Sequence, residues 1–142
     1  MTGDGDTTIR EGDRLEAGEY RALRADAAWS DIGVSDDRLQ AALDATWNVT
    51  ARAADGELVG MARLIDDGAV YASLWDMIVR RDRRGRGIGQ SILEAVMRRV
   101  GERDLVSLVA TPLGEPLYRR AGFVEQSRGS TGMVWRRPGA GT

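Results

Sequence analysis

Five arginines crowd into residues 80–86, and glycines stand at 85, 87 and 89, within the run Val79-Arg80-Arg81-Asp82-Arg83-Arg84-Gly85-Arg86-Gly87-Ile88-Gly89-Gln90-Ser91. The residues ahead of this run are apolar and β-rich. Those behind it, Ile88, Ile92, Leu93, Val96, Met97 and Val100, recur at helical spacing, so the run joins a strand end to a helix start. A helix N-terminus presents unpaired N–H groups and partial positive charge, glycines let backbone approach a bulky anion, and arginine adds a fork of donors. The chemistry this suits is the grip of a phosphate-bearing ligand. Spacing narrows the choice of ligand. A Walker A loop needs a lysine, and the chain has none; the dinucleotide fingerprint G-x-G-x-x-G needs glycine at 90, where Gln90 stands. What is left is R-x-x-G-x-G at Arg84, Gly87 and Gly89.

The chain contains no cysteine and no histidine. That excludes a disulfide scaffold, the usual zinc ligands, a Ser-His-Asp triad and any enzyme-bound thioester, and no metal site is expected. Proton transfer must then run through carboxylates, hydroxyls or water. Asp76 stands out among the carboxylates because it interrupts an otherwise apolar strand, where a charge is costly unless it is paired or useful. Period-two alternation puts it on one face with Leu74 and Ile78, and Trp75 and Met77 on the other. It reads as a candidate general base or as a structural acid satisfied by backbone amides or arginine. Glu125 and Asp31 are weaker substitutes.

The elements that must position these residues follow from periodicity. Thr7–Arg10 suggests a short strand. Leu15, Tyr20, Leu23 and Ala27 suggest a helix running toward Trp29, and Ser35 is the N-cap of a second helix with Asp36 and Asp37 in its first turn. Trp47–Arg52, Leu58–Ile65 and Ala69–Val79 read as three antiparallel strands, joined at Ala54-Asp55-Gly56-Glu57 and Asp66-Asp67-Gly68. The third long helix and a strand over Leu105–Ala110 complete a β-α-β unit. A short helix beginning near Glu115 ends at Gly122, and Phe123–Gln126 with Thr131–Arg136 reads as a closing strand pair. Trp47 and Trp135 are expected in the core. The fold class is a mixed α/β sheet flanked by helices.

A chain of 142 residues, 42% hydrophobic and 30% charged, is the size of one folded domain, with Met1–Asp6 and Pro138–Thr142 as unstructured ends. Residues 1–79 hold 7 arginines against 16 acids and residues 80–142 hold 13 against 6, so an acidic half could draw a cationic ligand and a basic half an anionic one. No apolar run approaches the ~20 residues of a membrane span, and the first thirty residues do not read as a signal peptide. The expected compartment is the cytoplasm, with no membrane partner. The basic segment is one short loop without interleaved aromatics, so nucleic acid is not expected either.

In this order of elements, R-x-x-G-x-G resembles the pyrophosphate loop of the GNAT N-acetyltransferase superfamily, whose signature is [QR]-x-x-G-x-[GA]. Leu117-Tyr118-Arg119-Arg120-Ala121-Gly122-Phe123 is similar to that family's L-Y-x-x-x-G-F segment, and the likeness covers roughly residues 7–137. Ser73-Leu74-Trp75-Asp76 and Gly132-Met133-Val134-Trp135 are similar to bacterial and plastid enzymes acting on small amines, including the serotonin N-acetyltransferase-like group. The resemblance implies a mostly antiparallel sheet with a central splayed parallel strand pair, and acetyl-CoA as cosubstrate in the gap. It places Met77, Ile78 and Val79 along the pantetheine arm. The pyrophosphate falls on Arg84, Gly85, Arg86, Gly87, Ile88 and Gly89. Tyr118 becomes the acid that meets the departing thiolate, and Trp29, Asp31 and Trp75, with Tyr71, surround the acceptor. One departure is Thr111, where many relatives carry an asparagine seven residues before the tyrosine. The implied activity is direct acetyl transfer to the primary amine of a small molecule. Acetylation of a protein N-terminus or lysine and a non-catalytic acyl-CoA-binding role are the alternatives, and a homodimer is left open.

Overall fold

The computed structural model describes residues 5–126, 129 and 131–139. One five-stranded sheet runs in sequence order: β1 (Thr8–Glu11), β2 (Trp47–Arg52), β3 (Leu58–Asp66), β4 (Tyr71–Val79) and β5 (Leu105–Ser107). The first three pairings are antiparallel and β4–β5 is parallel. The helices are α1 (Ala17–Asp26), α2 (Asp36–Asp44), α3 (Ile88–Val100) and α4 (Glu115–Arg120).

Alternation along the strands divides the core in two. Val49, Ala51, Val59, Ala62, Leu64, Ala72 and Leu74 meet Ile88, Ile92, Leu93 and Val96 of α3 on one face. On the other, Leu58, Met61 and Ile78 meet Tyr20 and Leu23 of α1 and Leu39 and Leu43 of α2. Gly60 sets how closely α3 lies: a Cβ there would stand 3.1 Å from Ile92 Cδ1 and 3.2 Å from Ala51 Cβ, so any side chain would push the helix off the sheet.

Helix boundaries follow capping chemistry. Ser35 Oγ accepts from the Arg38 amide at 3.2 Å, so Ser35 is the N-cap the sequence suggests. The first helix stops at Asp26, short of Trp29, because Ala28 adopts φ 59° and turns the chain. The parallel strand covers only Leu105–Ser107 rather than Leu105–Ala110, since the pairing register with β4 ends at Ser73↔Ser107.

Two expectations need correction. The closing strand pair does not form: Phe123–Gln126 and Thr131–Arg136 are irregular, and Trp135, expected in the core, is 79% exposed. Val124, Met133 and Val134 are exposed beside it, and a groove, not a sixth strand, borders β5. The side chains of this segment find no covering layer to bury against, and β propensity without burial does not hold a strand. The second correction concerns β4. Leu74 packs toward α3 but Ile78 packs toward α1 and α2, so Asp76 does not share one face with both. Arg63 pairs with Trp75 and Met61 with Ile78, leaving Asp76 and Met77 together opposite Ala62, and Asp76 sits at φ 54°. This β-bulge reverses the alternation across Asp76. Of the expected unstructured ends, residues 1–4 and 140–142 lie outside the described residues.

Candidate active site

β4 and β5 share three register pairs and then part, because β4 continues to Val79 while the chain after Ser107 leaves the sheet. The edge of Leu74–Val79 that faces away from β3 therefore has no strand partner among the described residues. A cleft of about 710 Å³ occupies the gap, lined by Trp75–Val79 on one wall and Val109, Thr111, Leu117 and Tyr118 on the other. Backbone donors and acceptors left open inside a cleft need a ligand or water to satisfy them. Met77, Ile78 and Val79 lie on this open edge and line the cleft.

At one end of the cleft lies the arginine-glycine loop. Gly85 and Gly87 adopt φ 76° and 80°, a region that costs an L-residue about 1–2 kcal/mol. Gly87 is the N-cap of α3, and the Ser91 amide donates to Gly87 O at 3.0 Å, so the amides of Ile88, Gly89 and Gln90 precede the first helical bond. Gly85, Gly87 and Gly89 all line the cleft, and a Cβ on Gly89 would meet Leu117 at 3.6 Å and Val79 at 3.8 Å, so its lack of a side chain leaves the gap open there. Arg84 Nε donates to Val79 O at 3.0 Å, which holds its guanidinium at the mouth with its terminal nitrogens unbonded among the described residues. The other arginines are divided. Arg80 pairs with Glu57 and Asp82 and Arg83 with Asp6, while Arg86 is exposed on the loop and does not line the cleft. Three helix-start amides, two left-handed glycines and one guanidinium match the donor set a diphosphate requires, and the acetyl-CoA expected from the sequence fits this end of the cleft.

Tyr118 lies on the opposite wall. Gly114 and Thr111 shape its approach: Gly114 N donates to Thr111 O at 3.0 Å, starting α4, and a Cβ on Gly114 would stand 3.1 Å from the tyrosine ring. Pro116 falls in the first turn, where its missing N–H costs nothing. Phe123 meets the ring edge-on at 5.9 Å between centroids. Tyr118 is 7% exposed, its hydroxyl makes no hydrogen bond among the described residues, and burial pushes its pKa up to about 12. It is a protonated donor at any physiological pH.

Asp76 lines the far end of the cleft. Tyr20 Oη donates to its Oδ2 at 2.7 Å, Arg63 Nη1 donates to Oδ2 at 3.0 Å and Arg24 Nη1 donates to Oδ1 at 3.0 Å. Burial, followed by the charge of Asp76, raises the Tyr20 hydroxyl to about 12, so that hydroxyl stays a donor. Trp29 and Trp75 also line this end, and the Arg24 guanidinium lies 5.2 Å from the Trp29 ring. Asp31 does not enter the cleft: its carboxylate bonds to Arg21 on the outer side of α1. Glu125 is exposed on the groove beside β5, away from Asp76. Tyr71 is exposed near the start of β4 and does not line the cleft.

The sequence reading missed Tyr20, Arg24 and Arg63. Tyr20 and Arg24 sit four apart on one helix face, which is a local signal, but their partner lies more than fifty residues away and no spacing rule announces it.

The family model for the acetyltransferase (GNAT) domain matches residues 46–125, more than half the chain. The chain belongs to the GNAT acetyltransferase family. A relative from Arabidopsis thaliana, the chloroplastic GCN5-related N-acetyltransferase 2, is 35% identical over 81 residues, covering 56% of this chain and 31% of its own length. The chain thus spans about a third of the length of that curated relative. Among solved structures, a probable acetyltransferase from Staphylococcus aureus superposes with a TM-score of 0.81 at 26% identity, covering 92% of this chain and 99% of the other. A GNAT-family acetyltransferase from Xanthomonas campestris gives 0.77 at 28% identity, covering 94% of each. The matched residues of this GNAT domain contain the β4 bulge, the whole loop and Tyr118.

Proposed function

We propose that this GNAT domain transfers the acetyl group of acetyl-CoA directly to the primary amine of a small molecule within a ternary complex. The observation that carries the reading is the parting of β4 and β5, with the phosphate-gripping loop at one end of the gap and the Tyr118 hydroxyl on the far wall. The unpaired edge of Met77–Val79 receives the pantetheine arm, and the amides of Ile88–Gln90 with Arg84 receive the pyrophosphate. In the transfer, the neutral amine nitrogen attacks the thioester carbonyl carbon, the C–S bond breaks with its electron pair leaving on the CoA sulfur, and the nitrogen gives up one proton, to Asp76 or to water, as the amide forms. An amide of the splayed strand polarises the carbonyl oxygen, and Tyr118 donates to the sulfur as its charge develops.

Supporting a small-molecule acceptor, Ala27–Ser30, the turn after α1, lines the acceptor end of the cleft together with Trp75. Asp76 belongs to this end in one of two roles: proton acceptor, through the Oδ1 lone pair that Arg24 leaves open, or holder of the bulge.

The test is release of CoA from acetyl-CoA, followed with a thiol reagent, against a panel of small primary amines and a panel of peptides with free N-termini or lysines. Turnover confined to the amines is the expected result, and turnover confined to peptides overturns the acceptor class. Asp76→Asn separates the two roles of that residue. Loss of the acidic limb of the kcat/KM profile marks a proton acceptor, and a uniform fall in kcat marks a bulge holder.

A further inference from the structure

Arg24 is a side chain that the family signature does not contain, and its surroundings leave a charge unaccounted for. It is 9% exposed, yet it lines the acceptor end of the cleft. Nη1 donates to Asp76 and Nη2 donates to Ser30 O at 2.7 Å, but Nε is buried with no hydrogen-bond partner among the described residues. The rings of Tyr20 and Trp29 lie 5.7 and 5.2 Å from its guanidinium carbon. A buried guanidinium that leaves a donor unmatched is expensive, and rings and a carbonyl do not neutralise its charge.

The neighbouring charges do not balance. Asp76 is the carboxylate at this end, and it is shared between Arg24 and Arg63, both held at 3.0 Å. The remaining contacts of Arg63, with Thr46 Oγ1 and Ala42 O, are neutral. Tyr20 is un-ionised. Asp31 and Asp36 are tied to Arg21 outside the cleft, and Asp26 accepts the Arg81 amide in the direction of the phosphate loop. Two guanidiniums against one carboxylate leave the acceptor end with one net positive charge in a setting where screening by water is weak. A cationic amine without an acidic group meets a field of its own sign. An amine that also carries an oxyanion supplies the missing charge.

We propose that the acceptor of this acetyltransferase is an amine bearing an anionic group, a carboxylate or a phosphate, and that Arg24 is the specificity-determining residue that receives it. The inference rests on the acetyl-transfer reading above and names its substrate class. It departs from the expectation that the acidic half could draw a cationic ligand, because most of the acids of that half are paired with arginines.

The experiment compares matched probes that differ in the anion: L-phenylalanine with phenethylamine, and O-phosphoethanolamine with ethanolamine. Binding to the CoA-loaded protein is read by calorimetry, and kcat/KM by CoA release. The expected result is that the anionic member of at least one pair binds about tenfold or more tightly, the scale of one charge-assisted hydrogen bond. The pair that shows it distinguishes carboxylate from phosphate. In Arg24→Gln the preference falls to within about twofold, a loss of the same charge-assisted bond. Arg24→Gln leaves Arg63 and Asp76 as a balanced ion pair, so the fold is retained, and unchanged acetyl-CoA affinity checks this. Equal or weaker binding of both anionic members, absence of binding by either, or a preference that survives in Arg24→Gln overturns the proposal. The acetyl-transfer reading fails separately, by loss of acetyl-CoA binding or of turnover with every acceptor.

Discussion

Replacing Tyr118 by phenylalanine removes one oxygen from the wall of the cleft, and the structure fixes how much that should matter. The hydroxyl has no bonded partner among the described residues, so its loss strands no other polar group, and the ring keeps its edge contact with Phe123. Stability should change by no more than about 0.5 kcal/mol. The catalytic cost follows from the phenol's acidity. Burial sets its pKa at about 12, whereas a free thiol titrates near ~8.5. Complete proton transfer from Tyr118 to the sulfur is therefore uphill by about 3.5 units, or about 5 kcal/mol at 1.36 kcal/mol per unit. On the proposed reading, the phenol would stabilise the leaving thiolate as a hydrogen-bond donor and keep its proton. A hydrogen bond to a charged group contributes about 1.5–3 kcal/mol, which predicts a fall in kcat of about 10–150-fold. The assay is CoA release at saturating acetyl-CoA, with acetyl-CoA affinity and Tm measured on the same preparation. A fall under threefold, or one accompanied by lost acetyl-CoA binding, refutes the reasoning. A fall beyond 10⁴-fold refutes the hydrogen-bond account in favour of full proton transfer.

Gly87→Ala forces a Cβ onto a residue at φ 80° and should weaken acetyl-CoA binding by tenfold or more with a stability cost of about 1–2 kcal/mol, read by calorimetry and urea unfolding. The Arg103 guanidinium beside Asp66, at 2.9 and 3.0 Å, holds its carboxyl down at about 2. Because the folded value lies below the unfolded one of about 3.9, this pair contributes stability above pH 4 that is lost as pH falls toward 2. Arg103→Met should cost about 1–2 kcal/mol at pH 6 and little at pH 2 in parallel denaturation curves. Tyr118 shifts the opposite way. Its raised pKa favours the folded state below pH 10 and loses that contribution as pH rises through 12, so no loss of kcat between pH 7 and 10 should trace to its ionisation.

Much of the frame was legible in the chain because local rules govern it. The loop at residues 80–91 announced itself through glycine spacing and charge, and α3 through its apolar stripe. Ser35 declared its helix by the chemistry of an N-cap. The end of the sheet was not legible. Val124, Met133, Val134 and Trp135 carry β-type side chains, but in the structure they lie exposed, and whether such a segment becomes a strand depends on an edge to pair with and a layer to cover it.

Two decisions belong to tertiary structure alone. The sequence marked Asp76 as an anomaly within an apolar strand, but the bulge that reverses β4 at that residue arises from pairing with β3, and a one-residue slip in pairing leaves no trace in a run of apolar residues. The sequence also divided into an acidic half and a basic half. Folding interleaved them, setting Asp6 against Arg83, Glu11 against Arg98, Glu57 against Arg80 and Asp66 against Arg103. Electrostatic energy depends on distance through space rather than along the chain, so the long-range dipole dissolved into local pairs. What remains at the Asp76 end of the cleft is a local positive excess, Arg24 and Arg63 around one carboxylate.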